Sequence, residues 1–313
     1  MPQQDQTRRA DRSRLVGLAA TTLAFLTWGA LPVYWKWLGH VDSIEIIAHR
    51  VLWTLATTAV LLAACRRWGE LRPALRRRRD VAILLVSSVL LVSNWFTYVW
   101  GINHERILET SLGYFITPLV TVILGWAVLR ERLRPAQVVA FVLAAAGVAN
   151  LAAAGRVERF PWVALTLAGT FSLYALIRKT SRLESLPGLT AETAVLSVPA
   201  AALLAVLAAR GGGALGRADW QTHLLLAGVG VVTAAPLLLF AYGARRIRLT
   251  AVGFLQYLAP TGTFCLGLFV YREPFGRAQA ITFGLIWTGL AVYTADSLWR
   301  AARAGRSNRA ETE

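Results

Sequence analysis

The chain has 313 residues, of which 56% are hydrophobic, with 12 tryptophans and a mean hydropathy of +0.51. A net charge of +16 would suit a nucleic-acid partner, but the basic residues sit in short loops and tails between apolar runs. That placement is the charge pattern of a membrane protein and argues against a nucleic-acid-binding face. The two cysteines, Cys65 and Cys265, are too few for a disulfide framework or a metal site.

Runs of about 20 apolar residues are long enough to span a bilayer core, and here they follow one another with little between them. Ten spans are predicted, at 15–35, 43–65, 80–101, 107–129, 135–153, 160–177, 189–209, 220–243, 249–271 and 278–298. The runs do not alternate in polarity, so the fold class is all-α integral membrane and not a β-barrel. With the N-terminus in the cytoplasm, 24 of the 33 Lys and Arg residues fall on the inner side, 8 on the outer side, and Arg50 alone within a span. One missed or invented helix would exchange the sides of every later loop and spoil that asymmetry. Both termini are therefore expected inside, as tails at 1–14 and 299–313.

The first span follows "RRADRSR" and could pass for a signal peptide. It continues through Trp28, Pro32 and Tyr34 without a cleavage site, so it reads as a retained helix. The second span carries "EIIAHR". Glu45 and His49 are four apart and share a face, while Arg50 points away from Glu45. An ionisable group within a membrane is costly and usually faces a cavity or a partner. All three are candidate transport residues. Against that, Glu45 lies close enough to the start of the span to sit at the interface, and Arg50 is near enough to snorkel. The third span offers Asn94 and Tyr98 as cavity-wall candidates, in "NWFTYVWG".

The fourth span contains "ETSLGYFITPLV" and the ninth "LTAVGFLQYLAPTG". Pro118 and Pro260 lie near the centres of these spans. Each removes a backbone donor and crowds the carbonyl four residues earlier, that of Tyr114 or Gln256. A kink is expected at both places, with freed acceptors facing polar groups or a cavity. Tyr114, Thr117, Pro118, Gln256, Tyr257 and Pro260 are therefore candidate cavity residues. Gly113 and Gly253 are expected to permit close helix packing.

The two stretches belong to a longer correspondence. "LRERLRPAQVVAFVLAAAGVA" aligns with "YREPFGRAQAITFGLIWTGLA", so that Glu131 matches Glu273, Gln137 matches Gln279, and Gly147 matches Gly289. Pro118 matches Pro260, and Glu45 matches Glu192. The expected organisation is two five-helix repeats, 15–153 and 160–298. An odd number of helices places the second upside down, the architecture of many secondary transporters, whose site lies near the midplane between repeats. Glu45 then lies near the outer end of its helix and Glu192 near the inner end, as polar contacts at opposite gates. Glu131 and Glu273 are expected to be partners of helix ends.

The motifs "NWFTYVWGINHERILETSLGYFITPLV", "RERLRPAQ", "EIIAHRVLW", "QYLAPTGTF" and "REPFGRAQAITFGLIWTGLAVY" resemble the RarD-type (chloramphenicol-sensitivity) branch of the drug/metabolite transporter superfamily, built of EamA-type repeats. The resemblance runs from Leu15 to Asp296. It implies a small-molecule permease of the bacterial cytoplasmic membrane, usually thought of as an exporter. Thr117 stands where the family stretch usually reads Asn, so no amide is available there.

No HExxH, GxSxG or Walker A motif is present, so neither an enzyme nor an ATP-driven pump is expected, and no cofactor. The partners expected are a small amphipathic or zwitterionic substrate and the lipid bilayer, with a monomer as the working unit. A passive facilitator is the alternative within transport, and a membrane scaffold or receptor the alternative outside it.

Overall fold

The computed structural model describes residues 2–71, 76–104, 106–154, 160–214, 218–272 and 276–310. Glu273 and the loop cations Arg72, Arg156, Arg159 and Arg217 lie outside the described residues. The described residues contain helices, turns and loops and no strand: α1 (Pro2–Ala30), α2 (Pro32–Trp37), α3 (Ser43–Ala64), α4 (Arg78–Asn103), α5 (Ile107–Ala127), α6 (Pro135–Ala154), α7 (Trp162–Thr180), α8 (Ser185–Ala209), α9 (Trp220–Ala244), α10 (Leu249–Gln256), α11 (Leu258–Cys265) and α12 (Arg277–Ala310).

Among the described residues, nine segments are long and apolar enough to cross a membrane. The sixth predicted span, α7, falls short on composition because it carries Thr166, Thr170, Ser172, Tyr174, Arg178 and Lys179. Those groups turn to protein and not to lipid. Ser172 is fully buried and donates to the Thr117 carbonyl at 3.1 Å, while Tyr174 and Arg178 are buried against α8. A helix lined by other helices needs less hydrophobicity than one bathed in hydrocarbon.

The two prolines act differently. α5 runs without interruption through Pro118, whereas the predicted span 249–271 breaks at Tyr257 into α10 and α11 and ends in a π-turn at Leu266–Val270. The kink expected near Pro260 takes the form of a break at Tyr257, within a segment, Leu249–Val270, that keeps membrane length. The break places Pro260 in the first turn of α11, where a helix has no use for its N–H groups. Pro118 stays in a helix interior, so the Tyr114 carbonyl loses its partner. Thr117 directs its hydroxyl to the Gly113 carbonyl at 2.7 Å, one residue away from that orphan.

Packing runs mainly between the N-terminal and C-terminal halves. α1 packs on α9 and α11, α7 on α4 and α5, α3 on α8 and α9, α8 on α4, α5 on α10, and α6 on α12. Gly253 sets the α5–α10 approach: a Cβ there would stand 2.9 Å from the Pro118 carbonyl oxygen and 2.6 Å from Val122 Cγ2. Gly113 does the same for α5 and α7, where a Cβ would meet the Ala164 carbonyl at 3.1 Å. Close packing at both glycines is as the sequence predicts.

The loops gather at two ends. At the basic end Arg67 pairs with Glu184, Arg134 with Asp296, and Arg245 Nη1 donates to the Leu183 carbonyl at 2.8 Å. Glu131 accepts from the backbone N–H groups of Leu249 (2.7 Å) and Thr250 (2.9 Å) and from the Thr250 hydroxyl (2.8 Å). A carboxylate there satisfies orphan donors and complements the dipole at the start of α10. Glu131 is thus the helix-end partner expected of it. Arg130, just before it in the loop after α5, has φ 54°, and Arg272 at the matching position has φ 52°.

Candidate functional site

α3 brings the three predicted ionisable residues into quite different surroundings. Glu45 is 2% exposed, covered by protein. The loop following α8 folds over it, and its Oε1 accepts the Ala214 N–H at 2.7 Å. Gly213 makes that cover possible with φ +86°, a conformation few side chains tolerate, and its absent Cβ would stand 2.9 Å from Oε1. His49 lies one turn deeper, 5% exposed, with Nε2 3.8 Å from Glu45 Oε1. That separation is too long for a hydrogen bond, and Nε2 has no partner among the described residues.

Arg50 does not snorkel. Its Nε donates to Thr233 Oγ1 of α9 at 3.1 Å. Its guanidinium carbon lies 4.2 Å from the ring centroid of Trp95 and 5.2 Å from that of Trp35. The ionisable groups in electrostatic reach are the phenols of Tyr98 and Tyr114, whose rings meet edge to face at 5.7 Å. Cation–π contacts of this kind hold a desolvated guanidinium without a counter-ion. Arg50 is half-buried, and Tyr114 keeps 44% of its surface free. Nη1 and Nη2 make no hydrogen bond or ion pair among the described residues.

The other predicted residues separate into two groups. Asn94 is no free cavity wall: its amide donates to the Leu167 carbonyl and the Thr170 hydroxyl, both at 3.0 Å, and ties α4 to α7. Thr117 and Pro118 are buried in the α5–α7–α10 contact. Tyr257 is 2% exposed and donates to the Phe115 carbonyl at 3.3 Å, again a helix-to-helix tie. Pro260 lies in α11, half-buried. Gln256 differs, being 4% exposed with neither amide atom partnered among the described residues.

Glu192 is fully buried at the far end of the same bundle. Its carboxylate accepts from the Tyr174 hydroxyl at 3.1 Å and from Arg178 Nη1 at 3.4 Å. Gly188 makes room for Arg178, since a methyl there would overlap the guanidinium. The space lined by Arg178, Glu192 and Asp80 is only about 10 Å³, enough for about one water. Toward the opposite end a surface cleft of about 510 Å³ is lined by Trp37, His40, Asp219 and Thr222. Between the two, Phe25, Trp28, Phe171, Tyr174 and Phe240 stack into an aromatic layer with centroids 5.2–6.3 Å apart.

Arg178, Tyr174, Trp35, Trp95 and Thr233 were not among the predicted site residues. Ending the sixth span at 177 placed Arg178 in a loop. The available signal was its i,i+4 spacing from Tyr174, which puts a cation and a phenol on one helix face. Thr233 carried no signal, being one hydroxyl within an apolar run.

Comparison with known proteins agrees with this architecture. The EamA-like transporter family matches residues 15–152 and again 161–295. The uncharacterized transporter YojE of Bacillus subtilis is 42% identical over 292 residues, 91% of this chain and 96% of that protein. Protein RarD of Streptomyces exfoliatus is 39% identical over 305 residues (97% and 95%), and protein RarD of Escherichia coli 37% over 290 residues (93% and 97%). A solved crystal structure superposes with a TM-score of 0.70 at 23% identity, covering 90% of this chain and 98% of the other, a likeness of fold. The chain belongs to the EamA-like transporter family, as a multi-pass membrane protein of the branch that includes the RarD proteins.

Proposed function

We propose that this chain is a secondary transporter of the bacterial cytoplasmic membrane that moves a small amphipathic molecule, in the direction of export, by alternating access. The observation that carries the reading is the unequal state of the two ends. Arg50 keeps part of its surface uncovered within the bundle, the basic end is closed by Arg178 and Glu192 beneath an aromatic layer, and a surface cleft lies at the opposite end. A carrier exposing its site to one side only looks like this.

Ten spans in two inverted repeats, 15–153 and 160–298, with both termini cytoplasmic, form the frame of the proposal. Several features support it. The helix contacts map onto themselves when the halves are exchanged: α1–α9 becomes α7–α4, α1–α11 becomes α7–α5, and α3–α9 becomes α8–α4. The left-handed turns at Arg130 and Arg272 correspond. Glu45 and Glu192 are buried at opposite ends, each holding its end together. In the alternate state the Glu192 contacts would open and those of Glu45 would tighten. A monomer contains all of these parts.

The test is counterflow in proteoliposomes across a panel of amino acids and drugs, with and without a pH gradient. Accumulation driven by the gradient would rule out passive facilitation. Absence of counterflow for every solute would favour a receptor or scaffold. Glu45→Gln and Glu192→Gln, assayed from both faces, test the gates, and normal transport by both variants would sink the gate assignment.

A further inference from the structure

We infer that Arg50 binds the anionic group of the transported molecule, and that the substrate class is a small monocarboxylate with a flat apolar body. This rests on the transport reading above and specifies its site.

Arg50 is a cation deep in the bundle without a carboxylate partner among the described residues. The buried acids among the described residues are already committed: Glu45 to the Ala214 N–H and Glu192 to Arg178 and Tyr174. Membrane proteins keep such a charge where it meets a partner or a pathway, and here the missing partner is an anion. The geometry restricts it further. The guanidinium lies over the Trp95 and Trp35 rings, which occupy part of its surroundings and leave its remaining donors for a ligand. Nε is held by Thr233, which fixes the plane and leaves Nη1 and Nη2 free as a fork. Two parallel N–H donors in one plane match a carboxylate bidentately, whereas a lysine would offer only a point charge.

The charge count sets the valence. Arg178, the other buried guanidinium among the described residues, is neutralised by Glu192. A dianion at Arg50 would therefore bring one negative charge too many into a desolvated place. Tyr98 and Tyr114, with Tyr114 partly free, supply aromatic surface on which a flat body can lie.

The full-length protein, purified in detergent, is titrated by calorimetry with benzoate and phenylacetate, their amides, benzylamine, and phenyl phosphate. The carboxylates should bind about ten- to a hundredfold more tightly than the amides, the range of a charge-assisted hydrogen bond. Benzylamine and phenyl phosphate should be weaker than benzoate. Arg50→Gln should abolish the preference for carboxylate over amide, and Arg50→Lys should weaken carboxylate binding while retaining part of the preference. The inference is overturned if the amides bind as well as the acids, if phenyl phosphate binds more tightly than benzoate, or if Arg50→Gln keeps the preference. Should Arg50→Gln fail to fold, unchanged affinity in Arg50→Lys overturns it instead. Counterflow of a neutral solute at equal rates through wild type and Arg50→Gln would refute the anion site and leave transport standing. Carboxylate binding with no counterflow of any solute would refute the transport reading.

Discussion

Removing the Arg178 guanidinium should expose how the basic end is held. The pair with Glu192 is 2% and 0% exposed with a 3.4 Å contact, so water does not screen it. At an effective dielectric of about 20 the attraction is about 5 kcal/mol, and most of it offsets the desolvation of two ions. Arg178 Nη2 also donates to the Glu184 carbonyl at 3.0 Å, linking α7 to the start of α8. Arg178→Met leaves Glu192 charged, buried and held only by the Tyr174 hydroxyl. That variant should lose about 3–5 kcal/mol. Arg178→Met with Glu192→Gln removes both charges and keeps an acceptor for Tyr174, so it should recover about 2 kcal/mol or more of the loss. The assay is reversible unfolding in mixed micelles by dodecyl sulfate titration, followed by tryptophan fluorescence. A double variant no more stable than Arg178→Met, with a coupling below about 0.5 kcal/mol, would refute the buried-charge account.

Gly253→Ala puts a methyl against the Pro118 carbonyl and Val122, and should cost about 1–3 kcal/mol by overpacking, although alanine is the better helix former. Gly284→Ala on α12 meets nothing within 4 Å and should cost nothing in the same unfolding assay. Glu131→Ala leaves the Leu249 and Thr250 N–H groups without their acceptor and should lose about 0.5–2 kcal/mol, the usual value of a helix cap. Orientation can be read from Cys65, which is exposed at the basic end. In a Cys265→Ser background, a membrane-impermeant maleimide should label it in inside-out vesicles. Labelling in right-side-out vesicles instead would invert the topology.

Much of the frame was legible in the chain. Nine of the predicted spans coincide with membrane-length segments, and their ends differ by a few residues because helices outrun their apolar stretches. α12 continues to Ala310 and α7 to Thr180, through residues whose charge marked the end of the span on paper. The glycines at 113 and 253 and the acid at 131 acted as their sequence neighbourhoods implied. The prolines were located correctly but did not behave alike. Whether a helix bends or breaks depends on what receives the freed carbonyl, and that is supplied by other helices. Among the site residues, Arg50, Tyr98 and Tyr114 come together, while Asn94 and Tyr257 turned out to be fastenings. A single polar residue in a span looks the same whether its partner is a neighbouring carbonyl or a ligand.

The sequence by itself determined what one-dimensional patterns can carry: the membrane class from run length and hydropathy, and the likeness of the two halves, each of which matches the same family, while the placement of Arg and Lys supplies the sidedness that the proposal adopts. These depend on properties that add up residue by residue. The tertiary structure alone decided which charges are neutralised. Glu192 meets Arg178 across two helices, Glu45 is covered by a loop some 170 positions later in the chain, and Arg50 meets aromatic rings and one hydroxyl among the described residues. Charge compensation is a property of distance in space, and in a bundle whose contacts run chiefly between the two halves, sequence neighbours are rarely the ones that matter.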